Sequence, residues 1–290
     1  MARIKCAVFP VAGLGTRLLP ATKAVPKEML TVVDRPLIQY AVDEARAAGI
    51  ERFIFVTGPD KQAVEDHFDP KPQLQETLEQ RRKEDEKEAV ADSALEPGEF
   101  VVVRQPEPLG DGHAIWCARN LLGEEPFAVL FPDDLILAET PCLNQLLAVY
   151  DHTGGNVVAV QDVPPEKVHA YGIVEVEDRE GEESGLAVTR IEEKPSRDEA
   201  PSTLGIIGRF IVRPEVLAAL DQRRADMEGE LRLTETIAST IGRVPIHAVP
   251  IKGQRFDCGN TLGFVEANIA FARADPDLRD GLQKVLTRYR

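Results

Sequence analysis

The stretch CAVFPVAGLGTR, residues Cys6–Arg17, joins an apolar run to a loop that contains two glycines and a cation. The run Cys6–Val11 is apolar without polar alternation, which is typical of a strand covered on both faces. Gly13 and Gly15 have no Cβ, so the loop backbone can adopt positive φ and bring its N–H groups close to anionic oxygens. Arg17 adds positive charge there. The stretch therefore predicts a central strand followed by a phosphate-binding loop.

Two well-known phosphate loops do not fit this stretch. A dinucleotide-binding fingerprint needs a third small residue where the chain has Leu18, and a Walker loop needs Gly-Lys-Ser/Thr after four intervening residues. A glycine pair after a strand is also common in ordinary tight turns. The interpretation therefore depends on other motifs, of which Pro26-Lys27-Glu28 supplies a further cation.

Composition limits the class of protein. The chain has 290 residues, 43% of them hydrophobic, which is enough to bury the core of one large α/β domain. Its formal net charge of −15 argues against binding to nucleic acid or to an anionic membrane, because those surfaces need clustered Lys and Arg. Pro10 and Gly13 interrupt the first apolar run, which is too short for a secretion signal or a membrane span. We therefore expect a cytoplasmic protein.

The order of predicted elements indicates an α/β fold. In the first half, strand-like runs alternate with helical patterns, as in βαβ units. These strands are Cys6–Val11, Arg52–Thr57, Phe100–Arg104 and Phe127–Phe131, and the helices are Pro36–Ala48, Gln73–Ala94, Gly112–Leu122 and Cys142–Thr153.

In the second half, strands follow one another directly, which indicates an antiparallel or mixed part of the sheet. They are Val157–Val163, Ile173–Val176, Val188–Glu192 and Leu204–Val212; then come helices near Pro214 and Leu233, the strands Ile246–Pro250 and Phe256–Cys258, and the helices Thr261–Ala274 and Leu278–Thr287. The sequence predicts a mixed β-sheet flanked by helices, in a single domain over residues 1–290.

Paired carboxylates, Asp133 and Asp134, directly follow the predicted strand Phe127–Phe131. Ligands of open α/β sheets bind at the carboxyl ends of strands, so Asp133 and the loop that carries Arg17 share one crevice if both strands are parallel and central. One or two carboxylates together with substrate phosphates are a usual site for Mg²⁺. The alternative is a strand-end turn or a helix cap, which Asp also favours.

Two further motifs place charged groups near predicted strand ends. Lys194 suits a phosphate, and the adjacent Glu193 can accept hydrogen bonds from hydroxyl groups, a combination that suits a sugar phosphate. A charged turn is the plainer interpretation. Asp257 precedes the predicted helix that begins at Thr261, where it is either a second metal ligand or the helix cap.

The loop after Phe100–Arg104 contains Gln105 and Gly110. A side-chain amide offers a donor and an acceptor to the edge of a pyrimidine, and a glycine lets backbone approach a planar ring. Tyr171-Gly172 is a similar close-approach site or a plain turn. No histidine has metal-ligand spacing, and no Ser-His-Asp or Cys-His arrangement indicates a covalent nucleophile.

Seven motifs, taken together in chain order, carry a family resemblance. They are FPVAGLGTR at Phe9–Arg17, PKEML at Pro26–Leu30, RQPEPLGDGHA at Arg104–Ala114, FPDD at Phe131–Asp134, YGIV at Tyr171–Val174, EEKP at Glu192–Pro195 and FDCG at Phe256–Gly259. The chain resembles the sugar-nucleotide pyrophosphorylases, and among these the bacterial UTP–glucose-1-phosphate uridylyltransferases, over essentially its whole length. It departs from them at Thr31, where proline is usual, and at Phe131, where leucine is common.

The resemblance implies a Rossmann-like mixed sheet of the nucleotide-diphospho-sugar transferase type and a homodimer or homotetramer, with a possible contribution from the C-terminal helices, residues 261–290. It implies UTP and glucose 1-phosphate as substrates, UDP-glucose and pyrophosphate as products, and Mg²⁺ as cofactor. The implied roles are nucleotide binding by Ala12, Gly13, Gly15, Thr16, Gln105 and Gly110; triphosphate binding by Arg17 and Lys27; metal binding by Asp133 and Asp257; sugar binding by Asp134, Gly172 and Glu193; and phosphate binding by Lys194.

The absence of a recognisable covalent nucleophile in the sequence agrees with the reaction that the resemblance implies. The second pKa of a phosphomonoester is about 6, so glucose 1-phosphate is already an anion at neutral pH and needs no base to attack the α-phosphorus of UTP. Catalysis would then consist of aligning the reactants and offsetting negative charge with cations. We expect a direct displacement without a covalent enzyme intermediate.

Overall fold

The computed structural model of the protein describes residues 3–177, 185–226 and 229–289. The strands are β1 (Cys6–Val11), β2 (Thr31–Val32), β3 (Arg35–Pro36), β4 (Arg52–Thr57), β5 (Phe100–Arg104), β6 (Phe127–Leu130), β7 (Asp134–Leu137), β8 (Asn156–Asp162), β9 (Gly172–Val176), β10 (Leu186–Glu193), β11 (Leu204–Val212), β12 (Ile246–Pro250) and β13 (Gln254–Asp257). The α-helices are α1 (Leu37–Ala47), α2 (Gln62–Phe68), α3 (Pro72–Gln80), α4 (Glu84–Ser93), α5 (Asp111–Leu122), α6 (Cys142–Thr153), α7 (Glu215–Ala225), α8 (Leu233–Ala238), α9 (Thr261–Ala274) and α10 (Arg279–Arg288). In the described part of the chain, none of these helices has both the length and the apolarity to cross a membrane.

Nine strands within the described ranges form one mixed sheet, in the order β5-β4-β1-β6-β11-β8-β12-β10-β9. Strands β5, β4, β1 and β6 are parallel, whereas β11 is antiparallel to both β6 and β8. The predicted change from βαβ units to a mixed section is therefore confirmed. Strand β1 lies between β4 and β6, as its unbroken apolar run predicted.

Helices cover both faces of the sheet. Successive side chains of a strand point to opposite faces, so Cys6 and Val8 of β1 pack in one core cluster while Ala7 and Phe9 pack in the other. The first cluster includes side chains of α5, α7 and α8, and the second includes side chains of α1, α2 and α6. This three-layer arrangement leaves the loops at the carboxyl ends of the parallel strands as the place where polar groups can gather.

The prediction of a single helix over Gln73–Ala94 is wrong. The structure has two helices there, α3 and α4, and the chain turns between them at Arg82, whose φ is +56°. Neither helix contains a buried residue. Because tertiary packing supplies most helical stability, a polar segment that buries nothing is not forced into one continuous helix.

A short two-stranded sheet was also missed. Strand β7 begins at Asp134, where the sequence predicted no strand, and it pairs antiparallel with β13 so that Asp134 lies opposite Asp257. The two strands were not recognised as a pair because their partner residues are far apart in the sequence. Their pairing brings the Asp133-Asp134 motif beside the Asp257 motif.

Arg209 on β11 forms a buried ion pair with Glu44 of α1. Its Nε donates to both carboxylate oxygens at 3.0 Å, and its Nη2 donates to Oε2 at 2.8 Å. Arg209 is 1% exposed. We expect Arg209→Met to lower the free energy of unfolding by about 3–5 kcal/mol, because removing one partner leaves a buried charge uncompensated. Urea denaturation at neutral pH measures this loss.

Arg213 provides the matched control, since its side chain is 33% exposed and pairs with Glu215 just beyond the same strand. Arg213→Met should cost about 0–1 kcal/mol, the usual value for an exposed ion pair. Equal losses in the two variants would contradict a special structural role for the Arg209 pair.

Candidate active site

The loops at the carboxyl ends of β1, β4 and β5 lie side by side, because these strands are neighbours in the sheet. The glycine loop, residues 12–17, follows β1. Gly58 follows β4, and a Cβ added there would lie 3.1 Å from the backbone oxygen of Ala12. The residue after β4 therefore packs directly against the start of the glycine loop.

On the β5 side, the amide nitrogen of Gln105 lies 2.9 Å from the carbonyl oxygen of Gly110 and 3.1 Å from Nδ1 of His113. These contacts use both amide hydrogens, so the side-chain oxygen of Gln105 is the atom that remains for a ligand. Gly110 has φ +101°, and a Cβ there would collide with backbone of Leu231. Close packing against Leu231 therefore requires a glycine at position 110, apart from the role near a base that the sequence suggested for it.

Lys27 and Asp133 form the best-defined ion pair of the site, with Nζ 2.6 Å from Oδ2 and side chains 18% and 15% exposed. Burial alone would lower the pKa of Lys27, but the negative charges of Asp133 and Glu28 and the hydrogen bond to Asp133 together outweigh it and raise that pKa. Burial would likewise raise the pKa of Asp133, but the ammonium of Lys27 lowers it. Both groups are therefore held in their charged forms.

Arg17 and Asp257 lie beside this pair. Nη1 of Arg17 is 3.6 Å from Oδ2 of Asp257. A Cβ added to Gly259 would lie 2.9 Å from both Asp133 Oδ2 and Asp257 Oδ1, and 2.5 Å from Nη2 of Arg17. Two carboxylates and a guanidinium thus border one small space that only a glycine leaves open.

The helix-cap alternative for Asp257 is excluded by the structure, since Oδ1 of Asn260 caps α9 by accepting from the N–H of Gly263 at 2.9 Å. No group of three or more His, Cys, Asp or Glu side chains that could hold a metal occurs among the described residues. A metal bound by Asp133 and Asp257 would therefore need substrate oxygens as further ligands, as Mg²⁺ commonly has.

A cleft of about 300 Å³ opens from this space toward β9, β10 and β11. Its lining includes Arg17, Asp133 and Asp257 at one side, and Gly172, Glu193 and Lys194 from the ends of β9 and β10. Burial raises the pKa of Glu193, although Lys194 and Arg232 oppose this effect. A Cβ at Gly172 would lie 2.5 Å from the methyl group of Thr234 and 3.1 Å from Oε2 of Glu193. Gly172 is thus a close-approach position.

Asp134 lines the same cleft, but both of its carboxylate oxygens are engaged by the protein. Oδ1 accepts from the Nε of Arg255 at 2.9 Å, and Oδ2 accepts from the N–H of Gly208 at 2.8 Å. Arg255 also donates to the hydroxyl of Tyr171 at 2.9 Å. These contacts connect β7, β11, β13 and the segment before β9, so Asp134 shapes the wall of the cleft.

No local sequence motif predicted two of the residues that line the cleft, Arg232 and Thr234. Nη1 of Arg232 is 3.4 Å from Oε1 of Glu193. Their segment is held against the start of α5, where Oδ1 of Asp111 accepts from the N–H of Leu233 at 2.9 Å. The contact is made between distant parts of the chain, so the sequence around Arg232 carries no signal for it.

The structure thus arranges the predicted site residues in two adjoining groups. The glycine loop and the Gln105–Gly110 loop lie over β1, β4 and β5, while Asp134, Gly172, Glu193 and Lys194 line the cleft. Arg17 and the pair of Lys27 with Asp133 lie between the two groups. This arrangement can bring two anionic ligands together over one set of cations.

A family model described as nucleotidyl transferase matches residues 7–273. The chain belongs to the nucleotidyl transferase family. It is 45% identical to UTP–glucose-1-phosphate uridylyltransferase of Bacillus subtilis (strain 168) over 282 residues, which are 97% of this chain and 96% of that protein. The predicted family and fold are therefore confirmed.

Solved structures of similar proteins agree with this membership. A UTP-bound UGPase from Acinetobacter baumannii is 38% identical, with a TM-score of 0.90 over 99% of this chain and 100% of that one. A UDP-glucose pyrophosphorylase complexed with UDP-glucose is 36% identical, with a TM-score of 0.82 over 94% of this chain and 100% of that one. This nucleotidyl transferase thus shares its fold with proteins that were solved with a substrate and a product of uridylyl transfer.

Proposed function

We propose that this nucleotidyl transferase converts UTP and glucose 1-phosphate into UDP-glucose and pyrophosphate. The observation that carries the proposal is the convergence of Arg17, Lys27, Asp133, Asp257 and Lys194 around one continuous space. Two highly anionic substrates repel each other, and a shared set of cations offsets that repulsion. The names of the similar proteins support UTP as the nucleotide and glucose as the sugar.

The reaction is a direct displacement. A phosphate oxygen of glucose 1-phosphate forms a bond to the α-phosphorus of UTP. The bond from that phosphorus to the oxygen bridging to the β-phosphate breaks, and its electron pair leaves with pyrophosphate. The protein supplies alignment and charge, since the attacking oxygen is already ionised near neutral pH.

The side chains divide between the two substrates. Arg17 belongs to the glycine loop, Lys27 lies next to it, and both suit the triphosphate, while Lys194 lines the cleft from the end of β10 and suits the phosphate of the sugar. Glu193 and the backbone at Gly172 lie beside Lys194 and suit the hydroxyl groups of glucose. This division places the attacking oxygen and the α-phosphorus at the boundary between the two groups.

A divalent metal suits the space beside Gly259, which two carboxylates border together with the guanidinium of Arg17. We propose that Asp133 and Asp257 hold Mg²⁺ there together with substrate phosphates. When bound, Mg²⁺ would offset negative charge on the reacting phosphates. The ammonium of Lys27, 2.6 Å from Oδ2 of Asp133, opposes the effect of burial and lowers the pKa of that carboxyl group, which favours its ionised form.

A substrate panel tests the proposal. Purified protein is incubated with UTP, dTTP, CTP, ATP or GTP, each paired with glucose 1-phosphate or galactose 1-phosphate, and pyrophosphate release is measured with Mg²⁺ or with EDTA. The expected result is Mg²⁺-dependent release that is fastest with UTP and glucose 1-phosphate. Faster turnover with dTTP would assign a thymidylyltransferase, and no release from any pair would exclude a nucleotidyl transferase of this type.

Gln105 is expected to contribute to base selection. Its remaining oxygen can accept from the N3–H of uracil, whereas N3 of cytosine carries no hydrogen. We expect Gln105→Ala to reduce the UTP-over-CTP ratio of kcat/KM by about tenfold or more, because a site built to hydrogen-bond a group rejects analogues that lack it.

Steady-state kinetics with both nucleotides measure this ratio, and Gln62→Ala, at an exposed glutamine of α2, is the control. An unchanged ratio in Gln105→Ala would mean that backbone groups alone select the base.

We also propose that the C-terminal helices, residues 261–290, contribute to a homodimer or homotetramer. Leu262, Val265 and Ile269 are 76%, 48% and 38% exposed. Their spacing of three and four residues places them on one face of α9. An apolar stripe of this kind on the surface suits contact between subunits.

A further inference from the structure

A buried ion pair lies beneath the glycine loop and outside the cleft. Nζ of Lys61, from the segment between β4 and α2, is 2.8 Å from Oε2 of Glu28. Lys61 is 6% exposed and Glu28 is 0% exposed. The same ammonium donates to the carbonyl oxygen of Gly13 at 2.8 Å. Lys61 therefore connects a buried carboxylate to the backbone of the loop that follows β1.

A gain in folding stability does not by itself explain why the chain has this buried ion pair. The desolvation of two charges can exceed their mutual attraction, so a well-packed apolar pair of similar volume is often no less stable. Oε1 of Glu28 also has no hydrogen-bond partner among the described residues. Burial raises the pKa of Glu28, although Lys27 and Lys61 oppose this effect. The pair is therefore costly, and its contact with Gly13 is the feature that an apolar pair would lack.

The contact fixes the orientation of a peptide group. A trans peptide places its C=O and its N–H on opposite sides, so a Gly13 carbonyl held toward the interior by Lys61 turns the N–H of Leu14 away from it. That outer side faces solvent, since Leu14 is 69% exposed. The N–H groups of Leu14, Gly15 and Thr16 donate to no described atom of the protein. They are thus available to an anionic ligand.

We propose that Lys61 is a positioning residue for the nucleotide: anchored by the buried Glu28, its ammonium donates to the Gly13 carbonyl and so keeps the loop amides directed toward the triphosphate. The inference rests on the proposed function in that a nucleoside triphosphate occupies this loop and the sugar phosphate binds elsewhere, beside Lys194. Lys61 touches no substrate and acts through the loop backbone. In the proposed function glucose 1-phosphate binds beside Lys194 on other strands, so we expect its binding to be independent of Lys61.

Lys61→Met is the first test. We expect the KM for UTP to rise about tenfold, while the KM for glucose 1-phosphate changes less than twofold. The control is Lys71→Met, at an exposed lysine before α3, which should leave both constants unchanged. Both constants are measured at a temperature at which circular dichroism shows each variant to be folded.

A double variant separates positioning from stability. Lys61→Met combined with Glu28→Leu removes both buried charges, so the free energy of unfolding should return toward that of the parent. The KM for UTP should nevertheless stay raised, because the Gly13 carbonyl still lacks its donor. Recovery of the KM for UTP together with stability would overturn the proposal, as would a parallel rise of both KM values in either variant.

The two proposals fail in different ways. The substrate panel on the parent protein first establishes which nucleoside triphosphate is used, and the KM comparison is then made with that nucleotide. A parent that prefers dTTP would refute the uridylyl assignment but leave the Lys61 test intact. A parent that prefers UTP, with an unchanged KM in the double variant, would refute the role of Lys61 alone.

Discussion

Lys194→Ala is expected to lower kcat by about 10²-fold or more, the size of effect seen when one preorganised donor to transition-state charge is lost. Lys194 lines the cleft at the end of β10, and Arg17 and Asp133 line the same cleft. Its backbone has φ +49°, and its N–H donates to the carbonyl oxygen of Tyr171 at 2.9 Å. A left-handed conformation is strained for a residue with a side chain, and such strain concentrates at functional sites. Steady-state kinetics at saturating substrates measure the effect.

Lys194→Gly separates the backbone from the ammonium group. Glycine adopts positive φ without strain, so this variant should be at least as stable as the parent in urea denaturation, while its kcat falls as far as that of Lys194→Ala. Arg190→Ala, at an exposed cation of the same strand, is the control and should keep the parent kcat. Turnover near the parent value in either Lys194 variant would remove this residue from the reaction.

Asp133→Asn is expected to lower kcat and, at the same time, to raise the Mg²⁺ concentration needed for half-maximal rate, each by about tenfold or more. The amide preserves the shape of the side chain but loses the charge that attracts the metal. It also removes the ionic partner of Lys27, which lies 2.6 Å away. A Mg²⁺ titration of the initial rate at saturating substrates measures both changes.

The Mg²⁺ dependence distinguishes the two possible effects of Asp133→Asn. If the carboxylate only orients Lys27, the rate falls but the half-maximal Mg²⁺ concentration matches that of the parent. If it binds the metal, both change together. Asp60→Asn is the control, since Asp60 is exposed and its positive φ of +61° is tolerated by asparagine. A superimposable titration curve for Asp133→Asn would identify Asp133 as a turn residue.

The sequence by itself determined the elements whose chemistry is local. The unbroken apolar run Cys6–Val11 predicted a central strand, and the structure places it between β4 and β6. The glycine pair after it, and the cations Arg17 and Lys27, could be proposed as a phosphate-binding site because such a site depends on neighbouring residues and backbone freedom. The succession of strands after Asn156 likewise predicted the mixed part of the sheet. Period and composition are properties of short segments, so they can be read without knowing the fold.

Only the tertiary structure decided which of these motifs meet. The sequence left Asp257 open as a metal ligand or a helix cap; the structure gives the cap to Asn260, and the pairing of β13 with β7 places Asp257 opposite Asp134. Lys61 and Arg232 were not recognised at all, because each acts on a residue that is distant along the chain. The contacts of Lys61 and Arg232 form only once the strands and helices have packed into the complete fold. Many sequences without these two residues would have the same apolar pattern in their strands and helices. A local pattern therefore predicts an element and its chemistry, whereas the packing of the whole chain determines which elements share a site.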